Sequence, residues 1–251
     1  MAGGSVSIRI LVIAAALPDH YLWRDAAAKA AVPIDLEILE VAPAASLLAR
    51  TRADICLLDA ELSDAQKAIL IKAARTAHAS TLIFVIGPKD SPRPPGVDGL
   101  LLKPEDQGQA DKQLELCVRA RIPTRVLIVD DSSTMRSIVR KILQASHFAF
   151  EIHDATEGNA ALELVRNKKF GIIFLDYNMP GLNGFETLSE IKRLNPAVAV
   201  VMMTSTLDAG LAGRAKAAGA LAFLKKPFYP ADIDETLERY YGLNNAQQIY
   251  V

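Results

Sequence analysis

The sequence predicts an α/β fold of two consecutive modules, each a five-stranded parallel sheet flanked by helices. Three observations carry that prediction. Short apolar runs alternate with helical patterns along the chain. Three phrases recur in the same order: "RILVIAA" from Arg9 and "RVLIVDD" from Arg125, "ADICLLD" from Ala53 and "FGIIFLD" from Phe170, "DGLLLKP" from Asp98 and "LAFLKKP" from Leu221. The copies lie 116, 117 and 123 residues apart in a chain of 251, so a unit of roughly 120 residues is written twice.

In the first module, strands are expected near residues 8–13, 34–41, 54–58, 81–86 and 99–102, with a closing helix over about 105–119. In the second, the apolar runs fall at 126–129, 148–152, 172–175, 198–203 and 222–224. Between the first two of these, "SSTMRSIVRKIL" places Met135, Ile138, Val139, Ile142 and Leu143 on one helical face. "NGFETLSEIKRL" and "PADIDETLERYY" share that period. Strands separated by helices need right-handed crossovers, and therefore a parallel sheet covered on both faces. Repeated five times, this gives a flavodoxin-like (βα)5 module with strand order 2-1-3-4-5. The Pro-rich "GPKDSPRPPGVDG", from Gly87, reads as an exposed loop in place of the first module's fourth helix, and as a candidate contact surface. The glycines of "LDAGLAGRAKAAGA", from Leu207, soften the second module's fourth helix. Pro123 opens the second module, which sets domains at 1–121 and 122–251.

Composition narrows the function classes. Hydrophobic residues make up 51% and charged residues 23%, and the net charge is −1. Up to residue 120 there are 13 basic and 15 acidic residues, and beyond it 15 and 14. Neither half is a polyelectrolyte, so no nucleic-acid or anionic-membrane partner is expected. Cys56 and Cys117 form no CxxC and have no histidine cluster beside them. That argues against thiolate metal sites and disulfides, and fits a reducing compartment. No apolar run approaches the ~20 residues of a membrane span. No signal-peptide pattern is present, so a cytoplasmic protein is expected.

The chemistry gathers at the strand ends. In this strand order, ligands bind beyond the carboxyl ends of strands one and three. In the second module strand one ends at Asp130-Asp131, strand three at Asp176, strand four at Thr204-Ser205 and strand five at Lys226-Pro227. Crowded carboxylates repel one another. A hard divalent cation such as Mg²⁺ relieves that repulsion through oxygen ligands. A carboxylate beside a hydroxyl and an ammonium suits an aspartyl-phosphate intermediate.

The acid pair, "DYNMPGLNG", "TS" and "KP", in that order over about residues 124–243, resemble a receiver domain of two-component response regulators. The plan is similar to the single-domain chemotaxis regulators. The resemblance implies that Asp176 is the phosphoacceptor, and that Asp130 and Asp131 are the acidic pair. Asp131 would bind Mg²⁺ directly, with the Asn178 backbone carbonyl as a further ligand. Thr204 would bond a phosphoryl oxygen and move on activation, and Phe223 would be the switch aromatic. Lys226 would reach the phosphoryl group and precede a cis bond to Pro227. The side chains of Asn178 and Thr206 would tune the lifetime of the phosphate. The implied partner is a histidine kinase or histidine phosphotransfer protein. Plainer readings stand beside these: Asp131 or Ser132 as a helix N-cap, Phe223 as core, Lys226 as a surface lysine.

The first module departs from the pattern. It keeps Asp59 and Lys103-Pro104, but has Ala14-Ala15 in place of the acid pair. Its fourth strand ends "IGP" without a hydroxyl, and "DAELSD" lacks the Met-Pro-Gly turn. A degenerate pseudo-receiver is expected, one that binds rather than reacts: a dimer surface, a dock for a kinase or target, or a clamp on the second module. No helix-turn-helix, ATPase, cyclase or methylesterase motif accompanies the modules. The expected output is therefore protein–protein contact with an unidentified target, and no enzyme activity beyond the receiver's own phosphorylation and dephosphorylation. The alternative is a constitutive adaptor or dimerisation protein in which phosphorylation is incidental. A phosphohydrolase of the haloacid-dehalogenase type needs a second acid two residues after Asp176, and position 178 is Asn.

Overall fold

A computed structural model describes residues 7–14, 20–88, 90–206 and 210–243. Ala15, Lys89, the start of the glycine-bearing segment at 207–209 and the tail from 244 lie outside the described residues. Contacts divide the chain into two units, Met1–Ile122 with Tyr241–Val251, and Pro123–Tyr240.

The first unit runs β1 (Ile8–Ile13), α1 (His20–Lys29), β2 (Ile34–Leu39), α2 (Val41–Leu48), β3 (Ile55–Asp59), α3 (Asp64–Ala77), β4 (Leu82–Gly87), β5 (Gly99–Leu102) and α4 (Gln107–Arg121). Its strands are parallel in the order β2-β1-β3-β4-β5. The central strands β3 and β4 are continuous apolar runs, as a sheet covered on both faces requires. The second strand stops at Leu39, two residues short of expectation. Glu40 becomes the N-cap of α2, so the apolar Val41 starts a helix instead.

No helix joins β4 to β5 among the described residues, in line with the loop expected there. Arg75 of α3 holds this loop from beneath. Its guanidinium donates to Asp98 Oδ2 at 2.6 Å and to the Gly96 carbonyl at 3.1 Å, while Arg93 donates to the Val97 carbonyl at 2.8 Å. Asp98 Oδ2 also accepts from the Ile83 amide at 2.7 Å. Three residues from the far end of the chain complete this unit. Tyr241 and Leu243 are fully buried, and the Leu100 amide of β5 donates to the Leu243 carbonyl at 2.7 Å. Cys56 and Cys117 are free, buried thiols, and burial pushes Cys56 up to about 12.

The second unit runs β6 (Thr124–Val129), α5 (Ser133–Ala145), β7 (Phe150–Ala155), α6 (Gly158–Asn167), β8 (Ile172–Asp176), α7 (Gly184–Leu194), β9 (Ala199–Thr204), α8 (Leu211–Ala217), β10 (Ala222–Lys225) and α9 (Pro230–Tyr241). The sheet order β10-β9-β8-β6-β7 is the expected 2-1-3-4-5 when counted within the unit. β7 is displaced from its expected position at 148–152. It is an edge strand that pairs with β6 along its whole length. Its Glu151, His153 and Asp154 are only half-buried or exposed, so the apolar run stops short of the strand. Glu151 there accepts from Arg125 at 2.8 Å and contacts His153 at 2.9 Å. On α5, Val139 and Leu143 are buried, but Ile138 is exposed. The buried stripe is narrower than the apolar face in the sequence.

Candidate active site at the strand ends of the second unit

Register places the functional side chains. Val129 pairs with Leu175 and Asp176 with Met203, so Asp130, just past β6, stands beside Asp176. Lys225 pairs with Thr204, and the Lys226 amide donates to the Thr204 carbonyl at 2.7 Å. The Tyr177 amide donates to the Met203 carbonyl at 2.8 Å, which fixes the chain as it leaves β8. The Lys226–Pro227 peptide is cis, as the resemblance implies.

The turn after β8 is built around two glycines. Gly181 has φ +76°, a left-handed conformation that L side chains rarely adopt. Gly184 opens α7 against the backbone of the site: a Cβ there would lie 2.5 Å from the Asp176 carbonyl oxygen and 2.7 Å from Tyr177 Cα. Asn183 caps the same helix, its Oδ1 accepting from the Phe185 and Glu186 amides, and Glu186 returns a bond to the Asn183 amide. This capping box holds the loop that carries Asn178.

Asp130 is fully buried, Asp176 is 3% exposed and Asp131 is exposed. Carboxylate oxygens of all three lie within 4.8 Å of one another. Lys226 bridges two of them, its Nζ at 2.7 Å from Asp130 Oδ2 and 2.8 Å from Asp176 Oδ1. Asp130 Oδ1 accepts from the Ser132 amide at 2.9 Å, and Ser132 Oγ caps α5 by accepting from the Met135 amide at 3.3 Å. The N-cap is therefore Ser132, and Asp131 projects its carboxylate at the rim. Burial raises the Asp176 carboxyl above its ordinary range, and the Asp130 charge adds to this. The Lys226 hydrogen bond and charge, with the Tyr177 amide, pull the other way without cancelling it. Burial alone would lower the Lys226 ammonium, but the two carboxylates outweigh burial and hold it above its usual value. Hard oxygen donors gathered this closely suit a small divalent cation such as Mg²⁺.

Thr204 is fully buried at the end of β9, and Ser205 is exposed. Thr204 Oγ1 accepts from the Thr206 amide at 3.0 Å. The Asn178 side-chain amide donates to Thr206 Oγ1 at 3.1 Å and reaches Thr204 Oγ1 at 3.5 Å. Asn178, Thr204 and Thr206 thus form a second cluster. Phe223 is half-buried against the core that includes Leu188, Met202 and Ala215.

Sequence reasoning missed Arg136. Its Nη1 donates to the Asp130 carbonyl at 2.7 Å and to the Asp131 carbonyl at 3.2 Å. A signal was present: a cation in the first turn of a helix opposes the helix dipole, so something else must hold it there.

A family model for the response regulator receiver domain matches residues 126–238. The chemotaxis protein CheY of Thermotoga maritima is 32% identical over 116 residues, a stretch that covers 46% of this chain and 95% of that relative. The chain belongs to the response regulator receiver family. A protein-glutamate methylesterase/protein-glutamine glutaminase of Burkholderia thailandensis is 38% identical over 128 residues, half of this chain. The receiver chain spans 33% of that relative's length. Among solved structures, chemotaxis protein CheY4 of Vibrio cholerae matches with a TM-score of 0.44 at 31% identity, covering 47% of this chain and 99% of that one.

The first unit has the same receiver topology without the same rim. Ala14 is buried at the end of β1, where the second receiver has Asp130. Asp59 ends β3, and among the described residues it pairs with Lys103 only at 3.8 Å, an ammonium that lies as far from Glu61. Asp59 Oδ1 accepts from the Glu61 amide instead. Gly87 occupies the register position of Thr204, and a Cβ there would lie 2.3 Å from Ala60 Cβ and 2.4 Å from Ser91 Oγ. A threonine has no room at that position.

Proposed function

We propose that the chain is a phosphorelay response regulator: a degenerate pseudo-receiver at residues 1–121, followed by a phosphorylatable receiver at 122–251. One observation carries the reading. Lys226 spans Asp130 and Asp176, with the exposed Asp131 carboxylate alongside. This rim holds a nucleophile, a metal-binding pair and a cation in one place.

In this reading Asp176 is the phosphoacceptor. One carboxylate oxygen bonds to phosphorus as the bond from phosphorus to the donor histidine of a kinase or phosphotransfer protein breaks. Asp130, Asp131, Asp176 and the Asn178 carbonyl would hold Mg²⁺. When bound, Mg²⁺ neutralises charge on the phosphoryl oxygens. Lys226 offers its ammonium to the incoming group, since it already lies within bonding distance of the acceptor. Thr204 offers a hydroxyl at the neighbouring strand end, and its engagement draws on the cluster with Asn178 and Thr206. Those two side chains guard the approach of water and so tune the lifetime of the phosphate. Phe223 follows Thr204 as the switch aromatic, and the softened α8 accommodates the change.

Output is by contact with a partner protein in the cytoplasm, with no catalysis on an outside substrate. The first unit contributes binding, as a surface for a second copy, a kinase or a target. Acetyl phosphate with Mg²⁺ should label Asp176 in the wild type and leave Asp176→Asn unlabelled. Equal labelling of the two would overturn the assignment. Identical partner capture by the unphosphorylated, phosphorylated and Asp176→Asn forms would point instead to a constitutive adaptor.

A further inference from the structure

We infer that Arg136 is a positioning residue for the acid pair, an inference that rests on the proposed reading of the rim as a cation-binding phosphoacceptor site. The pair sits on a short turn between Val129, the end of β6, and Ser133, the start of α5. Asp130 is held by its amide, which donates to the Ala155 carbonyl at 3.2 Å, and by its side chain at Lys226 and the Ser132 amide. Asp131 follows at the exposed side of the turn. Arg136 fixes the backbone beneath both residues. One guanidinium nitrogen forks across the two successive carbonyls at 2.7 and 3.2 Å. The Arg136 amide meanwhile donates to the Ser132 carbonyl at 3.1 Å, so its own backbone is part of the first turn of α5.

The choice of atoms decides the role. The guanidinium takes carbonyls, not carboxylates, so it spends none of the oxygens that would receive a cation. Fixing successive carbonyls fixes the peptide planes on both sides of Asp131, and with them the direction of its side chain. The two N–H bonds of Nη1 lie in one rigid plane, so the guanidinium also fixes the angle between the two carbonyls, which a freely rotating ammonium does not. Partners that orient metal ligands in this way typically change metal affinity 10–100-fold when removed.

The test uses the full chain with Arg136→Lys, which keeps the charge but loses the rigid planar fork, and Arg136→Gln, which loses both. Mg²⁺ affinity is measured by calorimetric titration, and amide hydrogen exchange at Asp131 and Ser132 is followed in metal-free protein. Both variants should bind Mg²⁺ about tenfold more weakly, and both should exchange faster at Asp131 and Ser132 without metal. Wild-type affinity in Arg136→Lys, or tighter binding in Arg136→Gln, would show that only charge matters and overturn the role. Unchanged exchange at the turn would do the same. If the wild type takes up no Mg²⁺ and Asp131→Asn changes nothing, the reading of the rim fails, while the exchange arm still judges Arg136.

Discussion

Lys226 carries the electrostatics of the rim at the scale of single residues. It neutralises two buried acids that would otherwise face each other in a medium poor at screening them. Lys226→Met should cost the metal-free protein about 3 kcal/mol, and Mg²⁺ should restore part of that loss. Urea unfolding followed by circular dichroism, with and without Mg²⁺, measures both effects. Asp176 works in the opposite sense. Its folded-state affinity for a proton is raised, so its ionised form is disfavoured by folding. That cost is absent below the ordinary carboxylate range, grows as pH rises through the raised value, and stays constant above it. Asp176→Asn should therefore stabilise the metal-free protein at neutral pH. The gain should vanish in acid. A gain of equal size at both ends of the pH range would rule out the ionisation argument.

Secondary-structure elements bring these residues together through strand ends and the glycines beside them. Gly184 lets α7 begin against the Asp176–Tyr177 backbone. Gly184→Ala pushes a methyl group into main-chain atoms that cannot rotate aside, and should cost about 2–3 kcal/mol. It should also slow labelling of Asp176, because the displaced atoms belong to the acceptor itself. Thermal unfolding and acetyl phosphate labelling report the two effects separately. Asn183→Ala, which removes the cap of the same helix without a clash, should cost about 1 kcal/mol and spare most of the labelling. The gathering of the rim was legible in the sequence because each strand run stops at or just before one of its residues: Asp130, Asp176, Thr204, Lys226. β7 was not, because the polar residues of an edge strand break the apolar run. Arg136 was hidden for a different reason: its partners are carbonyls, which every residue carries, so its role depends on geometry that sequence does not display.

At the scale of the whole molecule, the chain divides into two units, and the first carries an optical reporter of its own. Trp23, the single tryptophan, is buried in α1 of the first unit, so its fluorescence reports that unit's unfolding. Arg75→Met removes the arginine that Asp98 leans on and loosens the loop from Pro88 to Asp98. It should lower the Trp23 transition by about 3 kcal/mol and leave labelling of Asp176 at the wild-type rate. Loss of labelling in this variant would overturn that expectation. The duplicated plan of the chain was legible from its repeats, and so was the loss of the first unit's fourth helix, because prolines advertise it. The packing of Tyr241–Leu243 into the first unit was not, since those residues continue the helical pattern of α9.

That packing bears on the order in which the chain is made. The first unit is encoded first, yet Tyr241 and Leu243 are among its most buried side chains, and the amide of Leu100 awaits a carbonyl synthesised 143 residues later. Domains generally fold as units from the N-terminus as they emerge from the ribosome. Here the leading unit must wait with an open flank beside β5 until synthesis has passed through the second, which can close on its own residues in the meantime. On that order the second unit is the first to be finished and the first unit the last.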